Sequence, residues 1–257
     1  MSSSSTELAR PAGAAGTEPV LAGSGLSKRY GDLQVLSQVD FAVRTGEAVG
    51  IVGPNGAGKT TLLSVLAGSV TPSAGTVRID GHDVTRLSPA LRCRRGIGRA
   101  FQVPRPFGGM TVLENVIVGA SYGTRMARGA TYDRCVEVLE LCGLVEVANR
   151  RAEHLGLLSR KRLELARALA TNPRVLLLDE IGGGLTDAEA DELVATITQL
   201  RRFGTGIVWI EHIVHVLVRV VDRLVCMDAG RVIADGDPEQ VLRDAVVVDA
   251  YLGKAGQ

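Results

Sequence analysis

Aromatic side chains make up only 4% of this sequence, neither charge prevails, and no apolar run approaches membrane length. Each shortage excludes something. With 29 Lys plus Arg against 28 Asp plus Glu, there is no general attraction to nucleic acid or to an anionic membrane surface. The basic clusters around Arg92 to Arg99 and Arg160 to Arg162 lack interleaved aromatics and read as solvated helix faces, so no nucleic-acid partner is expected. Four cysteines, Cys93, Cys135, Cys142 and Cys226, lie without paired metal-ligand spacing, which argues against zinc or a disulfide framework and fits a reducing cytoplasm. Runs such as Val175 to Leu178 fall far short of the roughly 20 apolar residues that span a bilayer. What remains is a chain of 257 residues, 46% hydrophobic, able to bury a large core as one domain with a subdomain.

Residues 1–19, rich in Ser, Ala and Gly, read as a disordered tail outside the fold. From Val20, short β-branched runs lead to AVGIVG, an apolar strand entering a glycine-rich loop, and a helix follows from Lys59 to about Ala67. GTVRIDG and Gly96 to Phe101 read as strands, with Ser88 and Pro89 opening a short helix between them. Thr111 and Glu114 carry a capping-box pattern, and helical spacing then holds to Ala170. RVLLLDE, a helix from about Asp187 to Arg202, GIVWIE and two β runs near Leu224 and Val232 restore strand–helix alternation, before Asp237 and Pro238 open a C-terminal helix. The expected organisation is an α/β core over 20–101 and 171–236, a helical subdomain inserted at 102–170, and a helical tail over 237–257.

Gly53, Pro54, Asn55, Gly56, Ala57, Gly58, Lys59 and Thr60 match GxxxxGK[ST] in full, between a strand and a helix. Glycines let successive N–H groups face a phosphate chain, and the helix that follows adds the positive end of its dipole. Lys59 then bridges the β- and γ-phosphates, Thr60 offers a hydroxyl to Mg²⁺, and Thr61 assists through its backbone N–H. VLLLDE places Asp179 and Glu180 at the end of an apolar strand beside that loop. Asp179 is the candidate to hold Mg²⁺ through water, and Glu180 the candidate to orient or deprotonate the attacking water. Taken alone, an acidic pair at a strand end is as readily a solvated turn.

No NKxD run for guanine is present, and a long helical stretch separates Lys59 from Asp179. This layout resembles the ATP-binding-cassette transporter ATPases, and the resemblance covers about Val20 to Gly253. It implies a P-loop α/β core with a mixed sheet, an N-terminal antiparallel β subdomain and an inserted helical subdomain, using ATP and Mg²⁺. It places Tyr30, in LSKRYG, where the family stacks an aromatic ring on adenine; a core tyrosine at a strand end is the plain alternative. Gln102, in RAFQVPRPF, matches the glutamine that senses Mg²⁺ and the attacking water, and His212, after GIVWIE, matches the switch histidine at the γ-phosphate. FQVPRPFGGMTVLENV, RKRLELARALATNPRVLLLDE, IEH and DAYLG most resemble the ATPases of branched-chain amino-acid importers, with subunits for urea or short amides as the alternative. The implied partners are a second cassette subunit, two membrane permeases engaging the helical subdomain and the loop from Gln102 to Phe107, and indirectly an external solute-binding protein. The implied location is the cytoplasmic face of the cell membrane, held peripherally.

The pattern breaks where the family carries LSGGQ. The stretch from Leu155 reads LGLLS, with Gly156 for the serine, Leu157 and Leu158 for the glycines and Ser159 for the glutamine. A lost hydroxyl and added leucines imply a sound phosphate-loop half-site but a weak closing half-site, hence pairing with a different ATPase subunit; a weakly hydrolysing regulatory cassette is the rival reading. Ile181 stands where proline is usual, Thr186 where the family has Asp or Asn, and Gly182 to Gly184 are expected to loosen the loop between them.

Overall fold

The computed structural model describes residues 18–123, 128–201 and 204–252. Most of the expected tail at 1–19, the expected helix end at Arg202 and the last residues of the expected C-terminal tail lie outside them. In chain order the elements are β1 (Leu21–Tyr30), β2 (Leu33–Val43), β3 (Ala48–Val52), α1 (Lys59–Ala67), β4 (Ala74–Ile79), β5 (His82–Asp83), α2 (Pro89–Arg94) and β6 (Ile97–Ala100). Then come α3 (Val112–Tyr122), α4 (Arg128–Leu141), two single 3-10 turns, α5 (Leu157–Ala170), β7 (Val175–Asp179), α6 (Asp187–Arg201) and β8 (Gly206–Ile210). The chain continues through α7 (Val214–Leu217), β9 (Arg223–Asp228), β10 (Arg231–Gly236), α8 (Pro238–Arg243) and α9 (Ala245–Leu252).

Two sheets organise these elements. β2-β1-β4-β5 form an antiparallel sheet, and β10-β9-β3-β8-β7-β6 form a mixed sheet that is parallel except for β10 against β9. β3, β7 and β8 are buried along their whole length. Their side chains alternate between two cores, as a sheet covered on both faces requires. Val49, Ile51, Val175, Leu177, Val208 and Ile210 pack toward α1 and the antiparallel sheet, whereas Ala48, Val52, Leu176, Leu178, Ile207 and Trp209 pack with α3, α5 and α6. This is an α/β P-loop fold with a mixed sheet, an antiparallel β unit and a helical insertion, in agreement with the expected class.

The charged clusters need correcting. Arg92 is fully buried, and its guanidinium donates to the Val65, Leu66 and Thr85 carbonyls, so it closes the end of α1. Burial lowers its pKa to about 10. Lys161 is 4% exposed. A run of like charges shows that one face of a helix meets water, but not which member turns inward to satisfy a neighbour's carbonyls. The C-terminal helix is also two helices: Asp244 is extended, and its Oδ1 accepts from the Val246 N–H at 2.8 Å, starting α9 afresh.

Candidate functional site

β3 runs into a loop that folds over the N-terminus of α1. Two glycines are required there. A Cβ on Gly53 (φ 143°) would lie 2.0 Å from the Met227 carbonyl oxygen, and one on Gly58 (φ 98°) would lie 2.8 Å from that of Val35. Ala57 is buried, and its carbonyl accepts from the Gly230 N–H at 3.0 Å, which ties the loop to the β9–β10 turn. The buried Lys59 ammonium reaches back and donates to the Gly53 and Pro54 carbonyls at 2.6 and 3.0 Å. The cationic head therefore already stands in the cradle, where anionic phosphate oxygens would be stronger acceptors than carbonyls.

Asn55, Gly56, Ala57, Gly58, Lys59, Thr60 and Thr61 line a cleft of about 260 Å³, and Glu180 and His212 line it with them. β7 ends at Asp179, and Glu180 turns out of the sheet with φ 48°. Such a conformation costs a non-glycine residue about 1–3 kcal/mol. It is held by the Glu180 N–H donating to the Ile210 carbonyl at 2.9 Å and by the Glu180 carbonyl accepting from Gly183 at 3.3 Å. The turn presents the carboxylate to two partners: His212 Nε2 lies 2.8 Å from Oε1, and Gln102 Nε2 donates to Oε2 at 2.6 Å. Three residues far apart in sequence are thus brought to one point.

Asp179, Gln102 and Tyr30 do not line the cleft itself. Asp179 lies beneath it, nearly buried, and its Oδ2 accepts from Arg99 Nη2 at 2.8 Å. Burial raises its pKa, the Arg99 hydrogen bond and charge oppose that, and the Glu180 carboxylate adds to the rise. Tyr30 is half exposed at the end of β1, with Lys28 Nζ 4.8 Å from its ring centroid. The Thr60 hydroxyl, the Asp179 carboxylate and the Gln102 amide are oxygen donors suited to a hard divalent cation. Among the described residues no group of three His, Cys, Asp or Glu is placed to hold a metal ion. A larger hollow of about 390 Å³, lined by Arg134, Leu169 and Gln199 among others, offers no comparable loop of backbone donors.

Sequence reasoning missed the support behind Glu180. Glu211 is 2% exposed; its Oε1 accepts from the Gly182 N–H at 2.6 Å and its Oε2 from the His212 N–H at 3.1 Å. Lys161 Nζ donates to the Ile181 carbonyl at 2.8 Å. Both groups are held inside the fold, so burial raises the Glu211 pKa and lowers that of Lys161. The triple-glycine loop, expected to be loose, is thereby held at the Ile181–Gly182 peptide that enters it, and a Cβ on Gly182 would lie 2.7 Å from Glu211 Oε1. Thr186 has a local use as well: with Glu189 it closes the start of α6, Thr186 N–H and Oγ1 each donating to Glu189 Oε2 at 2.9 Å. The only advance signals were the acidic residue in IEH and the basic run RKR, both unremarkable without burial.

At the LGLLS stretch, Gly156 precedes α5 with no side-chain cap, Leu157 is 47% exposed and Leu158 is half-buried. The start of α5 therefore faces outward with two leucines where the family has glycines.

A phosphate cradle between strand and helix, faced by the Glu180 carboxylate just past the end of β7, which β8 separates from β3, defines a P-loop nucleotide hydrolase. The comparisons narrow this: residues 36–182 match the ABC transporter family, and residues 231–256 match the family described as branched-chain amino acid ATP-binding cassette transporter. The chain belongs to the ATP-binding-cassette transporter family and is an ATP-binding, ATP-hydrolysing subunit. It is 37% identical to the high-affinity branched-chain amino acid transport ATP-binding protein LivG of Salmonella typhimurium, over 93% of this chain and all of that one. It is 34% identical to the lipopolysaccharide export system ATP-binding protein LptB of Haemophilus influenzae, over 91% of this chain and 98% of that one. Among solved structures, the ADP conformation of an ATP-binding cassette of an ABC transporter superposes with a TM-score of 0.85 at 30% identity, over 92% of this chain and all of that one.

Proposed function

We propose that this chain energises uptake of branched-chain amino acids or similar small solutes, as the peripheral cytoplasmic-face ATPase of an importer whose membrane path is formed by two separate permeases. No described helix is long and apolar enough to cross a membrane. The solute class rests on the C-terminal match at 231–256 and on LivG-type relatives. The LptB relative is named for export, so the direction of uptake rests on the resemblance of FQVPRPFGGMTVLENV, IEH and DAYLG to importer ATPases.

The observation that carries the catalytic reading is the Glu180 carboxylate, fixed between His212 Nε2 and Gln102 Nε2 beside the phosphate loop. In this reading Lys59 and the loop N–H groups bind the β- and γ-phosphates, and Thr61 adds its backbone N–H at the helix start. Tyr30 stacks on adenine. Thr60, Asp179 and Gln102 face Mg²⁺, which when bound neutralises charge on the transferring phosphoryl group. Glu180 orients the attacking water or takes its proton, His212 holds Glu180 and meets the γ-phosphate, and Gln102 senses Mg²⁺ and that water.

Because α5 starts with LGLLS, the partner cassette is a different chain, and the isolated chain hydrolyses weakly. The test is leucine-stimulated ATP hydrolysis in vesicles carrying the co-purified permeases, with urea and acetamide as competing solutes. Glu180→Gln is expected to keep MgATP binding and to lower stimulated turnover about a hundredfold or more. An unchanged stimulated rate would remove Glu180 from the mechanism, and stimulation by urea alone would reassign the solute.

A further inference from the structure

Arg99, in β6, pairs with Leu177 of the neighbouring β7, and its side chain reaches Asp179 two residues further along that strand; the two side chains are 11% and 8% exposed. Its Nη2 donates to Asp179 Oδ2 at 2.8 Å, and its Nη1 lies 3.4 Å from Ser64 Oγ on α1, the helix that leaves the phosphate loop. The guanidinium carbon is 4.7 Å from the Phe101 ring centroid, which covers its other side. A planar cation held at three points cannot swing away as a surface lysine would. It engages one oxygen of the carboxylate that faces the divalent cation, so it draws on the same negative charge.

We propose that Arg99 is a positioning residue that sets how strongly Asp179 attracts the divalent cation of bound MgATP, by holding one Asp179 oxygen in a nearly buried ion pair. This rests on the reading of Asp179 as the cation-facing carboxylate. With Arg99 present the pair is close to neutral, so ATP without metal is tolerated and the metal's advantage is moderate. Without Arg99, neither Asp179 oxygen is engaged by the guanidinium, so both are open to the metal complex and metal-free ATP gains no nearby cation.

The test uses the purified full chain and calorimetric titration with ATP, once in excess Mg²⁺ and once in EDTA. The readout is the ratio of the two dissociation constants, EDTA over Mg²⁺. Arg99→Met and, as a second neutral variant that keeps a polar donor, Arg99→Gln are each expected to raise that ratio about tenfold, the order of one charge-assisted hydrogen bond. Arg99→Lys, which keeps the charge, should stay within about twofold. In an Asp179→Asn background neither neutral variant should move the ratio, because the carboxylate through which Arg99 acts is gone. A ratio unchanged or lowered in both neutral variants overturns the proposal, as does the same rise in the Asp179→Asn background. An Asp179→Asn single variant with the same ratio as the wild-type chain would instead overturn the assignment of Asp179 itself.

Discussion

At the scale of single residues, the glycine-rich loop with its lysine is legible in sequence, and the residues that support the site from behind are not. Lys59 and Thr60 follow from a spacing that only a curled backbone satisfies. Gln102 and His212 are ordinary residues until a resemblance singles them out, and the structure brings both to the Glu180 carboxylate. Glu211 and Lys161 belong to the hidden class, since their role depends on burial and on carbonyls and N–H groups that sequence does not pair. Burial raises the Glu211 pKa above its ordinary 4.5, so the folded chain binds this proton more tightly than the unfolded one. The contribution is therefore fully present below the ordinary value and is lost as pH rises through the raised one. Glu211→Gln keeps an oxygen to accept from Gly182 and has no such titration. The difference in Tm, variant minus wild type, should grow more positive between about pH 4.5 and 7. Thermal unfolding across that range checks it, and a flat difference would mean that Glu211 ionises as freely in the fold as out of it.

At the scale of elements, a boundary is readable wherever a side chain satisfies its own backbone. Thr111 and Glu114 form the reciprocal cap before α3, with the Glu114 N–H donating to Thr111 Oγ1 at 3.2 Å and the Thr111 N–H to Glu114 Oε2 at 2.7 Å. The end of α1 was not readable, because the group that closes it, Arg92, arrives from another helix. Nor was the break at Asp244, where one residue both ends α8 and begins α9. Thr111→Ala removes the cap oxygen, and a lost cap in a domain of this size should lower Tm by about 2–4 °C at neutral pH. The Glu114 pKa is depressed first by the Thr111 backbone N–H, which the variant keeps, and then by the Thr111 hydroxyl donating to Oε2 at 3.0 Å, which it loses. That part of the cap is present above the ordinary 4.5 and is lost as pH falls through the depressed value, so the gap between variant and wild type should narrow in acid. An unchanged Tm at neutral pH would show that the packing of α3 against α5 fixes this terminus without its cap.

At the scale of the whole molecule, the two ends of the cassette are built to different standards. The phosphate-loop side has its lysine in place, its two geometrically required glycines and a carboxylate held by two partners. The start of α5 has neither a capping side chain nor the glycines that permit close backbone approach. If cassettes pair face to face, each ATP lies between one chain's phosphate loop and the other chain's α5. ATP on this chain's loop is then closed by the partner's motif, and ATP on the partner's loop meets LGLLS. With a partner whose motif is intact, turnover runs through the first of these sites alone. Glu180→Gln in this chain should therefore remove nearly all hydrolysis by the assembled transporter, and the matching substitution in the partner should remove little. Gly156→Ser with Leu158→Gly supplies a capping hydroxyl and room for a phosphate, and should raise turnover up to about twofold by making the second site competent. Steady-state ATP hydrolysis by the three assembled variants decides it. If Glu180→Gln leaves half of the activity, the two sites are equivalent and the leucines in LGLLS do not impair closure.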